Sequence, residues 1–446
     1  MRPVFRLLTD AVFVFSVIFI WLMLLYQFVL TLGGFLYRRQ IYRKKADGRE
    51  PVDLPAVSVL IPARNEEKVI GGLLEKIGSL RYPADRLEVI VINDGSSDCT
   101  EALVLEAARR DKRIKVLSIP PEESGRGKGA ALNRGLRLAV HPVIAVYDSD
   151  NRPEPDSLAE LCGTLVGDKR LAAVTGKFRA YNKGKNLLTR FINIESVAFQ
   201  WIIQAGRWFF LKIAFLPGTN FVIWKSVLEA VGGWDEEALT EDTELTFRVY
   251  QRGFLIKFLP SATSWEQEPE RLSTWVRQRT RWARGMSYVI AKHGKSLFRK
   301  KLNLTSVELL NVLFLYYFFL FAILFSDLLF VLSLLKIVRL RMLGPYTQLW
   351  ALAFLLFLLE ILVSLSLEKE DSVAAVALST LAYITYTKLW VFVVLRAITE
   401  ESILKKKRIW DKTERFDGQG SEPRSLPGEK KMRLKKSPNN EERGKS

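Results

Sequence analysis

Apolar and polar positions fall into three regimes along the chain. From Ala11 to Tyr37 charge is almost absent for long enough to cross a bilayer, and the stretch outruns a signal-peptide core. Long apolar runs return at Val307–Leu335, Leu349–Leu365 and Val373–Leu395. Between them, roughly residues 45–300 read as one soluble block in which short β-branched runs alternate with amphipathic segments. Pro55–Pro62 predicts a strand closed by proline, followed by the polar stretch Ala63-Arg64-Asn65-Glu66-Glu67 and a helix running to Leu80. Leu87–Ile92 predicts a second strand, and Cys99–Arg110 a helix that Asp98 can cap. Arg113–Ile119, Lys128–Val140 and Pro142–Tyr147 continue the alternation as strand, helix and strand. This pattern implies an α/β domain with a doubly wound, mostly parallel sheet.

Beyond Asp150 the alternation loosens. Lys185–Leu211 predicts an aromatic-rich helix that packs against the sheet or a membrane surface. Phe221–Trp224 reads as a short strand, Thr243–Arg252 as an amphipathic helix and Ser273–Trp282 as the last helix before the apolar runs return. The expected division is 1–45 as a membrane anchor with a basic collar, 46–300 as the sheet domain, 301–400 as transmembrane helices and 401–446 as a basic, disordered tail.

Composition changes this picture in three places. The 446 residues carry a net charge of +18 with a hydrophobic fraction of 49%. Much of the cationic excess flanks apolar runs, as Arg38, Arg39, Arg43, Lys44 and Lys45 after the first and Lys405–Lys407 and Arg408 after the last. That placement fits a membrane surface, and no groove-reading or base-stacking motif supports a nucleic-acid partner. Cys99 and Cys162 alone imply no disulfide framework and favour the cytoplasmic side. His141 and His293 lack ligand-like spacing, which argues against zinc or a histidine-dependent hydrolase. Charge also leaves the topology in tension: three late spans place the tail outside, whereas Lys336, Arg339, Arg341 and the tail's own cations favour inside. One resolution is that Val307–Leu335 does not cross.

Candidate chemistry starts where the run Val143–Tyr147 ends in Asp148-Ser149-Asp150. A buried strand that delivers two carboxylates to the carboxyl edge of a sheet suits a hard cation such as Mg²⁺ or Mn²⁺, with substrate phosphates completing its shell. Lys128, at a helix start after Ser124-Gly125-Arg126-Gly127, can reach an anion such as a diphosphate. The acids Glu241 and Asp242 precede a helix, where such groups most often serve the dipole. Gln278, Arg281 and Trp282 share one helix face by their three- and four-residue spacing. Amide, guanidinium and indole together suit a phosphate and a sugar ring.

Taken in order, Asp94, Asp148-Ser149-Asp150, Thr240-Glu241-Asp242 and Gln278-x-x-Arg281-Trp282 between membrane segments resemble the inverting family 2 glycosyltransferases of the processive, membrane-embedded kind. Cellulose, hyaluronan, chitin and poly-N-acetylglucosamine synthases are of that kind, and the resemblance covers roughly Val57–Gly285. It implies a GT-A fold facing the cytoplasm from the cell membrane, a UDP-sugar donor and a growing polysaccharide or a lipid as acceptor, with accessory secretion subunits as further partners. By residue, it implies that Ala63, Asn65, Glu66 and Asp94 hold the nucleotide, together with Lys128 and Asp148. Asp148 and Asp150 then take the metal, and Asp242 is the general base. Gly218, Thr219, Glu241, Gln278, Arg281 and Trp282 attend the acceptor and the diphosphate. Rival readings are transfer of a single sugar to a lipid, a transporter, or a nucleotide-sugar sensor without catalysis.

Overall fold

The computed structural model describes residues 3–46, 53–299, 304–337, 346–408 and 413–416. Arg339, Arg341 and residues 417–446 lie outside the described residues. Helix α1 (Pro3–Ala46) leads into the first half of a sheet built from β1 (Val57–Ala63), α2 (Ile70–Gly78), β2 (Leu87–Asn93), α3 (Thr100–Arg110), β3 (Ile114–Ser118), α4 (Lys128–Leu138) and β4 (Val143–Val146). The second half follows as β5 (Arg152–Pro153), α5 (Ser157–Val166), β6 (Leu171–Ala180), α6 (Leu187–Ala198), α7 (Arg207–Leu211), β7 (Phe221–Trp224), α8 (Lys225–Ala230), α9 (Glu241–Gln251) and β8 (Leu255–Glu266). Five helices close the chain: α10 (Leu272–Arg299), α11 (Leu304–Leu334), α12 (Tyr346–Leu367), α13 (Val373–Ile384) and α14 (Tyr386–Ile398).

All eight strands form one sheet in the order β3-β2-β1-β4-β7-β6-β8-β5. The first four are parallel, as the alternating pattern predicts, and β2 and β4 are buried along their whole length because helices cover both faces. The far half is mixed: β7 runs antiparallel to β4 and β6, β8 is parallel to β6, and β5 antiparallel to β8. Four of the seven strand pairings are parallel, so the sheet is mostly parallel, as expected, with its reversals confined to the far half. Antiparallel β7 reverses the chain beside β4, and this brings the loop before it against the acidic end of β4.

Strand β6 carries internal cations, and the reason they are held lies far along the chain. Lys177 and Arg179 on β6 are buried and paired with Glu368, which also accepts from the Trp201 indole at 2.8 Å; Arg179 and Lys183 pair with Glu370. A strand with internal cations is held only because the α12–α13 connection supplies the carboxylates. Removing one partner of such a buried set typically costs about 3–5 kcal/mol.

The aromatic segment forms α6, a π-helical stretch Phe199–Gly206 and α7. It crosses α1 at close range: a Cβ at Gly34 would stand 2.2 Å from the Trp201 carbonyl and one at Gly206 2.1 Å from that of Leu30. Among the described residues three helices are long and apolar enough to cross a membrane, at Asp10–Arg43, Gln348–Leu367 and Val373–Ile403.

Candidate active site

Every loop at the carboxyl end of the parallel half contributes to one crevice. Ala63 ends β1, and its carbonyl accepts the Asp94 amide at 2.8 Å, which ties the loops after β1 and β2 together. Asn65 stands in the left-handed region (φ 54°), where its side-chain oxygen accepts the Ser97 amide at 2.7 Å. Asp94 is buried, accepts the Gly125 amide at 3.0 Å and faces Arg64 at 3.8 Å. Burial raises its carboxyl above the usual range, against the pull of Gly125 and Arg64. Ala63, Asn65 and Asp94 thus border one recess with the loop that precedes α4.

The apolar run of β4 delivers Asp148 and Asp150 where expected. Thr219 positions them: its hydroxyl accepts the Asp148 amide at 2.9 Å and donates to Asn151, while Ser149 donates to the Pro62 carbonyl at 2.8 Å. The Thr219 hydroxyl is thereby occupied behind the carboxylates. Asp150 is buried, and its Oδ2 accepts the Gln267 amide at 3.1 Å. Burial and the neighbouring Asp148 push its carboxyl upward, opposed by a cation described below.

Lys128 begins α4 and is the hub of the crevice. Its Nζ lies 2.6 Å from Asp148 Oδ1 and 3.4 Å from Glu241 Oε1, and donates to the Gly218 carbonyl at 2.9 Å. Burial works against the ammonium charge, but Asp148 and Glu241 outweigh it and hold the group above its ordinary range. Gly218 has φ +83°, and a Cβ there would stand 2.9 Å from Asp242 Oδ2. The backbone of this loop lies against both the hub lysine and the second pair of acids.

That pair opens α9. Glu241 is buried, and Asp242 takes the Thr243 amide at 2.6 Å. Burial is the largest influence on Asp242, with Glu241 adding to it against Lys128, Thr243 and Arg281, and together they push the carboxyl up to about 7. A carboxylate poised there can accept a proton near neutral pH.

Helix α10 supplies the wall. Arg281 reaches the Leu239 carbonyl at 3.4 Å, and Trp282 is 40% exposed, so its indole is open to a ligand. Gln278 accepts from Arg279 at 3.1 Å. Arg279, not singled out by the sequence reading, is the buried residue of this face: it lies 3.9 Å from the Trp282 ring centroid and pairs with Glu195 at 2.9 Å. Glu195 in turn accepts from Tyr386 on α14 at 2.7 Å, so the Trp282 platform is braced against an apolar helix.

A second residue missed from sequence is Arg415. Residues 413–416, assigned to the tail, lie in the crevice. Arg415 is 2.7 Å from Asp150 Oδ2 and 3.5 Å from Glu66 Oε2; Phe416 exchanges backbone hydrogen bonds with the Gln267 side chain at 2.9 and 2.8 Å; Glu414 pairs with Arg271 at 3.0 Å. Nothing local distinguishes Arg415 from its basic neighbours, and only the fold reveals its partner.

An α/β sheet that gathers acids, a lysine and an aromatic platform at the carboxyl ends of its parallel strands is built to hold a phosphorylated sugar donor. Residues 55–285 match the family model described as "Glycosyltransferase like family 2", and the chain belongs to that family. It is a glycosyltransferase, an enzyme that moves sugar from a nucleotide sugar. The chain is 44% identical over 413 residues to "Probable glycosyltransferase YdaM" of Bacillus subtilis (strain 168), spanning 92% of this chain and 98% of that one. It is 33% identical to a beta-monoglucosyldiacylglycerol synthase of Trichormus variabilis over 57% of this chain and 53% of that protein. With a poly-beta-1,6-N-acetyl-D-glucosamine synthase of Staphylococcus aureus (strain COL) it is 30% identical, over 56% and 59% respectively. In fold it is similar to a mannosyltransferase from Pyrobaculum calidifontis in complex with GDP-Man and Mn²⁺ (TM-score 0.54, 19% identity, 86% of this chain and 99% of that one), which supports the GT-A architecture.

Proposed function

We propose that the enzyme is membrane-bound and transfers a hexose or N-acetylhexosamine from a UDP-sugar, with inversion, to a growing β-linked polysaccharide, and that Asp242 is the base. The observation that carries this reading is the Asp242 carboxyl, poised at about 7 beside Gly218 and Lys128 in a crevice that Trp282 borders. An acceptor hydroxyl oxygen bonds to the anomeric carbon as that carbon's bond to the diphosphate oxygen breaks. Its proton passes to Asp242, and the leaving diphosphate keeps the electron pair. Lys128 and Arg281 face the developing negative charge, and the Trp282 indole offers an apolar face to a pyranose. Asp94, Asn65 and Glu66 border the nucleotide end.

The residues present fit a hard divalent cation. Asp148 and Asp150 are oxygen donors at the crevice, and the Arg415 guanidinium already stands as a cation on Asp150. Among the described residues no group of three or more His, Cys, Asp or Glu side chains is arranged to hold a metal; Asp148 and Asp150 would hold the cation together with donor phosphate oxygens. When bound, Mg²⁺ or Mn²⁺ neutralises charge on the leaving diphosphate. The 1–45, 46–300 and 301–400 division, with the catalytic block facing the cytoplasm, follows from the same reading.

A lipid acceptor is the second reading, favoured by the relative named as a glucolipid synthase. The test is a panel of UDP- and GDP-sugars offered to purified membranes with and without chelator, followed by sizing of the product. Expected are selective use of one UDP-sugar, loss of transfer in chelator and a ladder of lengthening carbohydrate. A single glycolipid band would replace the polymer reading, and full activity in chelator would remove the metal.

A further inference from the structure

A second cavity lies away from the catalytic crevice, at the foot of α1. It measures about 230 Å³ and is bordered by Tyr37, Gln40 and Ile41 of α1, Trp208 and Lys212 at the end of α7, and Arg170 and Lys257 from the β6 and β8 edge. The Lys212 and Lys257 ammonium groups approach the same Trp208 ring, at 5.5 and 6.0 Å from its centroid. The one carboxylate in the lining, Asp168, is held by Arg170 at 2.8 Å. Among the described lining residues three cations stand against one acid. Two ammonium groups beside one indole make a cationic, amphipathic lining.

Position names the source of the anion. Tyr37, Gln40 and Ile41 belong to the last turns of the apolar span Asp10–Arg43, the level of lipid headgroups if α1 crosses a bilayer. Phe210, exposed and two residues before Lys212, rests on α1 at Gly33, where a Cβ would be 2.7 Å from its ring. On α1 the exposed Leu22 and Val29 fall in the same row as Gln40 by helical spacing, so an apolar track leads from the cavity along the span. Lys212 itself follows the last turn of α7 in the left-handed region (φ 57°), with its ammonium on the Phe209 carbonyl. Apolar ring, amphipathic indole and basic terminus in that order are what a headgroup interface selects.

We infer that this cavity binds the phosphate of an anionic phospholipid, with Lys212 and Lys257 as its cationic ligands and Trp208 as its floor. The inference rests on α1 spanning a membrane and is independent of the donor, the acceptor and Asp242. It predicts that the enzyme is stabilised by acidic lipid at a defined place and not merely by bulk surface charge.

The experiment reconstitutes the full chain in nanodiscs of phosphatidylcholine alone or mixed with phosphatidylglycerol, and reads the thermal midpoint in each. The parent is expected to melt higher with phosphatidylglycerol. Lys212→Gln with Lys257→Gln is expected to melt like the parent in phosphatidylcholine, to keep its transfer activity there and to lose the phosphatidylglycerol-dependent rise. Arg109→Gln with Arg110→Gln, which removes the same charge from the exposed end of α3, is expected to retain the rise. Should the double variant fail to fold in phosphatidylcholine, the exposed Lys212→Gln alone carries the same comparison. A parent indifferent to phosphatidylglycerol, or a Lys212→Gln variant that keeps the full rise, overturns the site. An equal rise from glycerol 3-phosphate added to phosphatidylcholine discs overturns the lipid assignment.

Discussion

Two pairs of acids each place one member against Lys128, and they are compensated differently. Asp148 and Asp150, at the end of β4, are each answered by a cation of the chain, Lys128 at 2.6 Å and Arg415 at 2.7 Å. Glu241 and Asp242, at the start of α9, share the same lysine, but only Glu241 has it within ion-pair distance, at 3.4 Å. A buried carboxylate that already holds a cation is suited to exchange it for another. One enclosed beside a second acid is left to bind a proton. On the proposed roles the first pair holds charge and the second moves it.

Asp242→Asn tests the second half of that contrast and carries the largest expected effect. Transfer should fall by about a hundred to ten thousandfold, the usual range for a general base, while nucleotide affinity stays near the parent value. The same substitution should raise stability at alkaline pH. A carboxyl raised to about 7 in the folded enzyme contributes stability that is present at low pH and lost as pH rises through 7, and asparagine escapes that loss. Melting temperatures at pH 5 and pH 8 should thus separate parent and variant more at pH 8. A variant that still transfers sugar at close to the parent rate would leave Asp242 as a helix-terminal acid and nothing more.

Arg415→Gln probes the first pair. The guanidinium occupies a carboxylate of the proposed metal site, so its removal should tighten Mn²⁺ binding by the donor-free enzyme roughly tenfold or more, the scale of a charge-assisted pair worth about 1.5–3 kcal/mol. Titration followed by electron paramagnetic resonance reads this without turnover. Unchanged or weaker Mn²⁺ binding would mean that Arg415 and the metal do not compete for Asp150.

The two pairs also differ in how much of them the sequence discloses. Asp148 and Asp150 end a run of apolar residues buried on both faces, a local pattern that marks a strand edge, and the parallel half of the sheet is legible for the same reason. The acids of α9 look like ordinary dipole partners. Burial and the neighbouring Glu241 give Asp242 its character against the pull of Lys128 and Arg281, and the Gly218 loop that lies against it is brought there by antiparallel β7. Strand β6 is hidden because Lys177 and Arg179 break its apolar pattern, their carboxylates lying on the α12–α13 connection. Arg279 was hidden between two residues on the visible face of α10. Arg415 offers the extreme case, since its meaning comes from a partner at the other end of the domain.

The smallest expected effect is the one that separates the members of the second pair. Glu241 is not placed to take the acceptor proton. It lies against Lys128 and raises Asp242, second only to burial. Replacing it by glutamine removes a like charge from beside the base and leaves Lys128 more fully available to Asp148 and Asp242. Both changes act in the same direction and lower the Asp242 carboxyl. Because the base must be ionised, parent kcat/KM should climb with pH through about 7, and in Glu241→Gln that climb should begin at lower pH by a fraction of a unit. The plateau should fall by less than about tenfold, well short of a general-base loss. A pH–rate profile of the variant on the identified donor reads both quantities at once. An acid limb that stays in place would detach Glu241 from the tuning of Asp242, and one that disappears would make Glu241 itself the titrating base.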